Sequence, residues 1–334
     1  MTSPLKLSII VPVYNVEPYI RKCIESIEDQ DIPKEAYEVI VVDDGTPDRS
    51  IAIVEALQPL YPNIRIVHKP NGGLSSARNF GLDFARGDYV WFIDSDDYIE
   101  SNILQTLLDK AYSEKLDSLC FNNQDIYVET GRVVRNHTLK PSGVVSGLEY
   151  LRDYSISTVA WSHIAKREIY QRHQLRFTIG IYHEDYEFIL LLYAFCQRMS
   201  YLDRYLYNYL VKGTGTITTT RDRKHLLKRL DSWEIILRNL IGRFPDNGDP
   251  ATYAYHAHRW VNVYKFHALS ALLLLPLSYA DKRVYLQKFK DLGCFPIGPT
   301  YRLTTRRRWV SEVYSRPGLY KLALWAWGKW KIKK

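Results

Sequence analysis

Residues 89–97 read Tyr-Val-Trp-Phe-Ile-Asp-Ser-Asp-Asp, an apolar run that ends in three carboxylates, Asp94, Asp96 and Asp97. A buried strand that delivers carboxylates to its C-terminal end suits a hard divalent cation. Mg²⁺ or Mn²⁺ takes oxygen ligands and keeps positions open for substrate phosphates. Asp94 and Asp96 are two residues apart, so both side chains leave the same side of an extended segment. The same residues also read as an acidic turn before a helix, with Asp97 or Ser101 as its cap.

Such carboxylates need a frame, and the first third of the chain supplies one. Residues 7–13 are an apolar run, as expected of a strand buried on both faces, and 37–42 read as a second buried strand. Residues 64–68 and 89–93 read as two further strands. Residues 17–29 carry Ile20, Ile24 and Ile27 near helical spacing, and 49–60 and 74–86 read as helices. This βαβα rhythm predicts an α/β fold with a mostly parallel sheet flanked by helices. In such sheets ligands bind beyond the carboxyl ends of the strands. Tyr14 and Asn15, Asp43 and Asp44, and Asp94 and Asp96 all fall there. The order then loosens. Residues 117–122 and 125–134 predict a strand pair, 161–166 a strand, 186–195 a helix and 201–211 a Tyr-rich strand. From 222 onward the chain reads as helix, with breaks near 245–250 and 293–299. The expected division is 1–220 and 221–334, the former with halves at about 1–122 and 123–220.

Composition narrows the class. A hydrophobic fraction of 46% supports a large core, and a charged fraction of 25% is ordinary. Cys23, Cys120, Cys196 and Cys294 show no Cys-x-x-Cys spacing, which argues against a zinc site or a disulfide framework. Residues 1–6 lack an apolar signal region. The longest apolar run, 268–277, contains Pro276 and falls short of the ~20 residues a membrane span needs. A cytoplasmic protein is the expectation. His256, His258 and His267 lack acidic partners at metal-binding spacing and read as packed or surface histidines. The net charge of +8 is concentrated in residues 302–334, where Glu312 alone opposes ten Lys and Arg residues. There Trp325, Trp327 and Trp330 alternate with lysines, a combination suited to an anionic membrane surface. The alternative is a packed C-terminal helix with a frayed basic end. Nucleic acid rests on the basic tail alone and is disfavoured.

Five motifs occur in order: Ser8-Ile-Ile-Val-Pro-Val-Tyr-Asn15, Val41-Val-Asp-Asp-Gly-Thr46, Asn71-Gly-Gly-Leu-Ser-Ser-Ala-Arg-Asn79, Phe92-Ile-Asp-Ser-Asp-Asp97 and His183-Glu-Asp185. Their order and spacing resemble glycosyltransferase family 2, whose fold is called GT-A, over about residues 7–218. The resemblance implies an inverting, metal-dependent transferase acting on a nucleotide diphosphate sugar, with a UDP-sugar favoured, in surface polysaccharide biosynthesis. Pro12, Tyr14 and Asn15 would line the base. The Asp43-Asp44 pair, Asp44 the better candidate, would accept the uracil ring N–H. Gly73 lets backbone approach the ligand, and Arg78 would face the nucleotide. Asp96 would be the main ligand of a Mn²⁺ or Mg²⁺ cofactor, with Asp94 on the ribose or a metal-bound water. Lys212 and Thr216 would close on the diphosphate, although Gly213 and Thr214 depart from the family's usual spacing. Asp185 would be the catalytic base, and Glu184 would steer acceptor or sugar. The plainer readings are a turn at Asp44-Gly45, a solvent-facing Arg78, and a helix-starting acidic pair at Glu184-Asp185. A glycan or lipid-linked acceptor would explain the basic aromatic tail and place the protein at the inner face of the cytoplasmic membrane. A sugar nucleotidyltransferase is the close alternative, but residues 12–17 lack its Gly-rich basic signature. A catalytically silent nucleotide-sugar or membrane-binding module is the other.

Overall fold

The computed structural model describes residues 5–136, 141–154, 156–213, 222–300 and 314–332, apart from the side chains of 326–332. The chain divides into two compact units. One comprises Met1–Gly180 and Phe188–Gly213; the other comprises Ile181–Glu187 and Thr214–Lys334. The helical region thus takes in a short segment that the sequence reading assigned to residues 1–220.

The first unit is built on a nine-stranded sheet. Its strands are β1 (Leu7–Val13), β2 (Tyr37–Asp43), β3 (Ile64–His68), β4 (Tyr89–Phe92), β5 (Tyr98–Ile99), β6 (Ser118–Tyr127), β7 (Val133–Arg135), β8 (His163–Lys166) and β9 (Met199–Val211). The order is β3-β2-β1-β4-β8-β6-β9-β5, with β7 on β6. The first four are parallel, β8 joins antiparallel to β4, and β6 and β9 run parallel to each other. All of β1 is buried, as its apolar run demands. Pro12 is tolerated in this central strand for a specific reason. The β1–β4 ladder ends at Ile10↔Phe92, so the missing Pro12 N–H costs no strand pairing on that side. There the pairing of β1 with β4 ends, at the point where the strand order reverses direction, the place where sheets of this kind bind ligands.

Helices cover the sheet. Ile20–Glu28 buries Ile20, Cys23, Ile24 and Ile27. Leu74–Phe84 lies close enough that a Cβ on Gly81 would stand 2.5 Å from Ile10 Cγ2. That approach brings Arg78, one turn earlier, under the end of the sheet.

Several elements differ from expectation. The spacing predicts a break at 123–124, yet β6 continues through it with register shifts around Asn122. The hairpin pairs β6 with β7 instead. Residues Ala160–Ser162 form a short 3-10 turn, leaving β8 only four residues. The helix Glu184–Phe195 starts two residues earlier than read, because acidic residues suit a helix's first turn.

Among the described residues, the second unit carries the helices Arg223–Arg243, Tyr253–Leu274, Tyr279–Asp291 and Pro317–Ile332. Asp222, Thr252 and Ser278 cap the first three, each accepting a backbone N–H three residues on. The core includes Trp233, Leu237, Leu240, Leu269, Phe289, Tyr320 and Leu324. The last two lie on the C-terminal helix, and the Tyr320 hydroxyl donates to Leu269 O at 2.5 Å. This part of the basic aromatic segment is therefore packed, while Leu319, Leu322 and Trp325 on the same helix are exposed. Among the described residues, no helix is long and apolar enough to cross a membrane.

Candidate active site

The turn after β4 fixes its three carboxylates in three different ways. Arg78, only 1% exposed, donates from Nη2 to Asp94 Oδ1 at 2.7 Å. Lys212, the residue after β9, donates from Nζ to Asp96 Oδ2 at 2.6 Å. Its ammonium also lies 3.8 Å from the centroid of the Tyr19 ring. Asp97 is buried; its oxygens accept the Tyr207 hydroxyl at 2.8 Å and the Leu210 N–H at 2.8 Å. The Tyr207 hydroxyl in turn accepts the Asp94 N–H at 3.2 Å. One phenol thus ties both ends of the turn to β9. Tyr207 is held by the Trp161 ring stacked at 4.2 Å, and Trp161 O accepts the Trp91 indole N–H at 2.8 Å. Burial, and next the charges of Asp96 and Asp94, push the Asp97 carboxyl well above the usual range. Asp97 is a structural anchor here and not a helix cap. The following helix, Leu104–Ser113, has no side-chain cap bond, so Ser101 does not cap it either.

Asp96 is the more open of the two outer carboxylates, 36% exposed against 23% for Asp94. Hard oxygen donors of this kind, at the end of a strand, fit Mg²⁺ or Mn²⁺. Among the described residues no group of three or more His, Cys, Asp and Glu gathers to hold a metal ion. A cation on Asp96 therefore depends on outside oxygens, which a diphosphate carries.

A second group of site residues stands at the ends of β1 and β2. Tyr14 is 50% exposed, whereas Pro12 is buried within β1 and backs the site from inside. Asn15 takes a left-handed φ of 55° and its N–H donates to Thr46 Oγ1 at 2.8 Å. Asp44 accepts Lys69 Nζ and the Gly72 N–H on Oδ1, and the Gly73 N–H and Asn71 Nδ2 on Oδ2. Gly73 has φ 83°, a conformation that glycine adopts without strain, and it leads into the helix that carries Arg78. The Asp44 side chain is 3% exposed and Asp43 is 17% exposed. Asp43 accepts the Thr46 N–H at 2.9 Å and pairs with His68 Nδ1 at 3.0 Å. A base N–H reaching Asp44 would have to displace Lys69 or Asn71, since the glycine N–H groups are fixed by the loop.

In the second unit, Glu184 and Asp185 open the helix Glu184–Phe195 together with Glu187. His183, just before them, has φ 61°, which is uncommon for a residue with a side chain. Its ring stacks on Trp233 at 5.5 Å, and Tyr186 meets Trp233 at 5.1 Å and Tyr264 at 4.9 Å. Glu187 accepts Asn239 Nδ2 at 3.0 Å. Burial, with Arg229 and His267 nearby, lowers His183 to about 4, so its imidazole is neutral at physiological pH.

The fold thus gathers Tyr14, Asn15, Asp43, Asp44, Gly73, Arg78, Asp94, Asp96 and Lys212 at the strand ends of the first unit. Thr216 lies outside the described residues. Sequence reasoning missed Tyr207, Trp161, Lys69 and Tyr19. The Tyr-rich strand was visible, but nothing local marks which tyrosine faces the acidic turn.

The model of the family described as "Glycosyl transferase family 2" matches residues 8–181. The chain is 37% identical over 210 residues to the uncharacterized glycosyltransferase EpsJ of Bacillus subtilis (strain 168), which covers 61% of this chain and 60% of that protein. It is 29% identical over 271 residues to the uncharacterized glycosyltransferase YibD of Escherichia coli (strain K12), covering 76% and 78%. The chain thus spans less than two thirds of EpsJ. Among solved structures, S. aureus TarS 1-349 in complex with UDP-GlcNAc matches with a TM-score of 0.74 at 20% identity, covering 98% of this chain and 92% of that one. At that identity the match establishes the fold.

Proposed function

Since the chain belongs to glycosyl transferase family 2, we propose that it moves a sugar from a UDP-linked donor to a hydroxyl of a cell-surface glycan acceptor, inverting the anomeric carbon. The observation that carries this reading is the acidic turn after β4, with Asp94 and Asp96 each matched by a cationic side chain. A site with exchangeable carboxylate oxygens and two nearby cations suits a diphosphate that arrives with a metal ion. The UDP-GlcNAc bound to TarS, which shares the fold, supports the choice of uridine.

In this reading Tyr14 covers the base, and the Asp43-Asp44 pair accepts the uracil N3–H, which neutral cytosine lacks. Arg78 orients Asp94 toward the ribose. Asp96 holds Mn²⁺ or Mg²⁺, which when bound supplies positive charge to the diphosphate oxygens as the nucleotide leaves. Asp185 takes the proton of the acceptor hydroxyl as its oxygen bonds to the anomeric carbon. The bond to the diphosphate oxygen breaks, and its electron pair leaves with UDP. Glu184 steers the acceptor. The exposed Leu319, Leu322 and Trp325, with Lys321 between them, support contact with the anionic inner face of the cytoplasmic membrane, where a lipid-linked acceptor would be met.

A thermal-shift panel of UDP, GDP, CDP and ADP with Mn²⁺ tests the donor. A ligand that binds only the folded protein raises its melting temperature. UDP should give the largest shift. Equal shifts for UDP and CDP would contradict uracil recognition, and no shift with any of them would contradict the nucleotide-sugar reading.

A further inference from the structure

We propose that Lys212 is a resident counter-cation of Asp96, and that a divalent cation and Lys212 are alternative partners of that carboxylate. The inference deepens the nucleotide-sugar reading above and rests on it. Both candidate cations of the acidic turn are in place, but they are held differently. Arg78 is 1% exposed and its guanidinium lies 5.1 Å from the Phe177 ring, so it is fixed within the core. Lys212 follows the last residue of β9 and reaches Asp96 on a flexible four-carbon stem. Its ammonium sits between the Asp96 oxygen and the face of Tyr19, 3.8 Å from the ring centroid, a cradle for one positive charge. The backbone just before it is anchored, because Leu210 donates to Asp97.

A metal ion on Asp96 Oδ2 and an ammonium on the same oxygen exclude each other by like-charge repulsion. The cation that arrives must release Lys212, and the released ammonium has a natural new partner in a diphosphate oxygen. Metal alone pays for the displacement without that return. Metal and nucleotide diphosphate together do not. Lys212 would therefore couple the two ligands, so that each strengthens the other.

The test is calorimetric titration of Mn²⁺ without nucleotide into the wild type, Lys212→Met and Tyr19→Leu. Removing the competitor should tighten Mn²⁺ binding by roughly 5- to 150-fold, the usual range for coupling between two ligands. Tyr19→Leu, which loosens the cradle and leaves the lysine, should shift it less in the same direction. At saturating Mn²⁺, Lys212→Met should bind UDP more weakly than wild type. Mn²⁺ affinity in Lys212→Met equal to or below that of wild type overturns the exchange. If wild type still binds UDP with Mn²⁺ in that case, the donor reading stands. Failure of every protein to bind either ligand overturns both.

Discussion

The two acidic clusters of this protein sit in unlike surroundings. The turn after β4 faces cations and a phenol: Arg78 on Asp94, Lys212 on Asp96, Tyr207 on Asp97. The pair Glu184-Asp185 opens a helix and stands in the chain between His183, a neutral imidazole, and Tyr186, whose rings both meet Trp233. Carboxylates matched one for one by cations are arranged for exchange, because a metal or a phosphate can substitute for one member of a pair. Carboxylates at a helix N-terminus gain stability as anions from the dipole and remain able to accept a proton. In the proposed function one cluster grips a polyanion and the other moves a proton.

The sharpest way to separate the clusters is Asp185→Asn. It keeps the shape and removes the proton acceptor. Transfer to the true acceptor should fall by roughly 10²-fold or more, the scale of a general base, while UDP affinity in calorimetry stays near wild type. Near-normal turnover would move the base elsewhere, to Glu184 first. If UDP affinity fell as far as turnover, the two clusters would not have separate roles.

A smaller effect is expected from Tyr207→Phe. The hydroxyl donates to Asp97 and accepts from the Asp94 backbone, so its loss leaves a buried carboxylate without one partner. The cost should be about 1–3 kcal/mol in denaturant unfolding, with weaker UDP binding because the turn loosens. Unchanged stability and unchanged UDP affinity would show that the phenol does not hold the turn.

These two clusters also differ in how far the sequence disclosed them. The runs 7–13 and 37–42 were read to within one residue of β1 and β2, because a strand buried on both faces leaves a largely apolar signature. The site residues at those strand ends followed from the same logic. The polar residues 123–124 misled, since side chains in this stretch find partners that keep the strand going. Asn122 donates to Asp203, and Gln124 donates to Asn208. No local pattern reveals such partners. Asp97 looked like a cap because its burial depends on β9, far along the chain. Tyr201, Tyr205, Tyr207 and Tyr209 look alike in sequence, and only strand pairing selects Tyr207. Lys212 was read for a diphosphate, and its present partner Asp96 was not foreseen.

The central claim is that Asp96 and a donor diphosphate share a divalent cation. Calorimetry of UDP binding to the wild type and to Asp96→Ala, each with Mn²⁺ and with chelator, tests it most directly. Wild type should bind UDP more tightly with Mn²⁺ than with chelator, and Asp96→Ala should lose that difference. Equal UDP affinity in wild type with and without Mn²⁺ would contradict the claim.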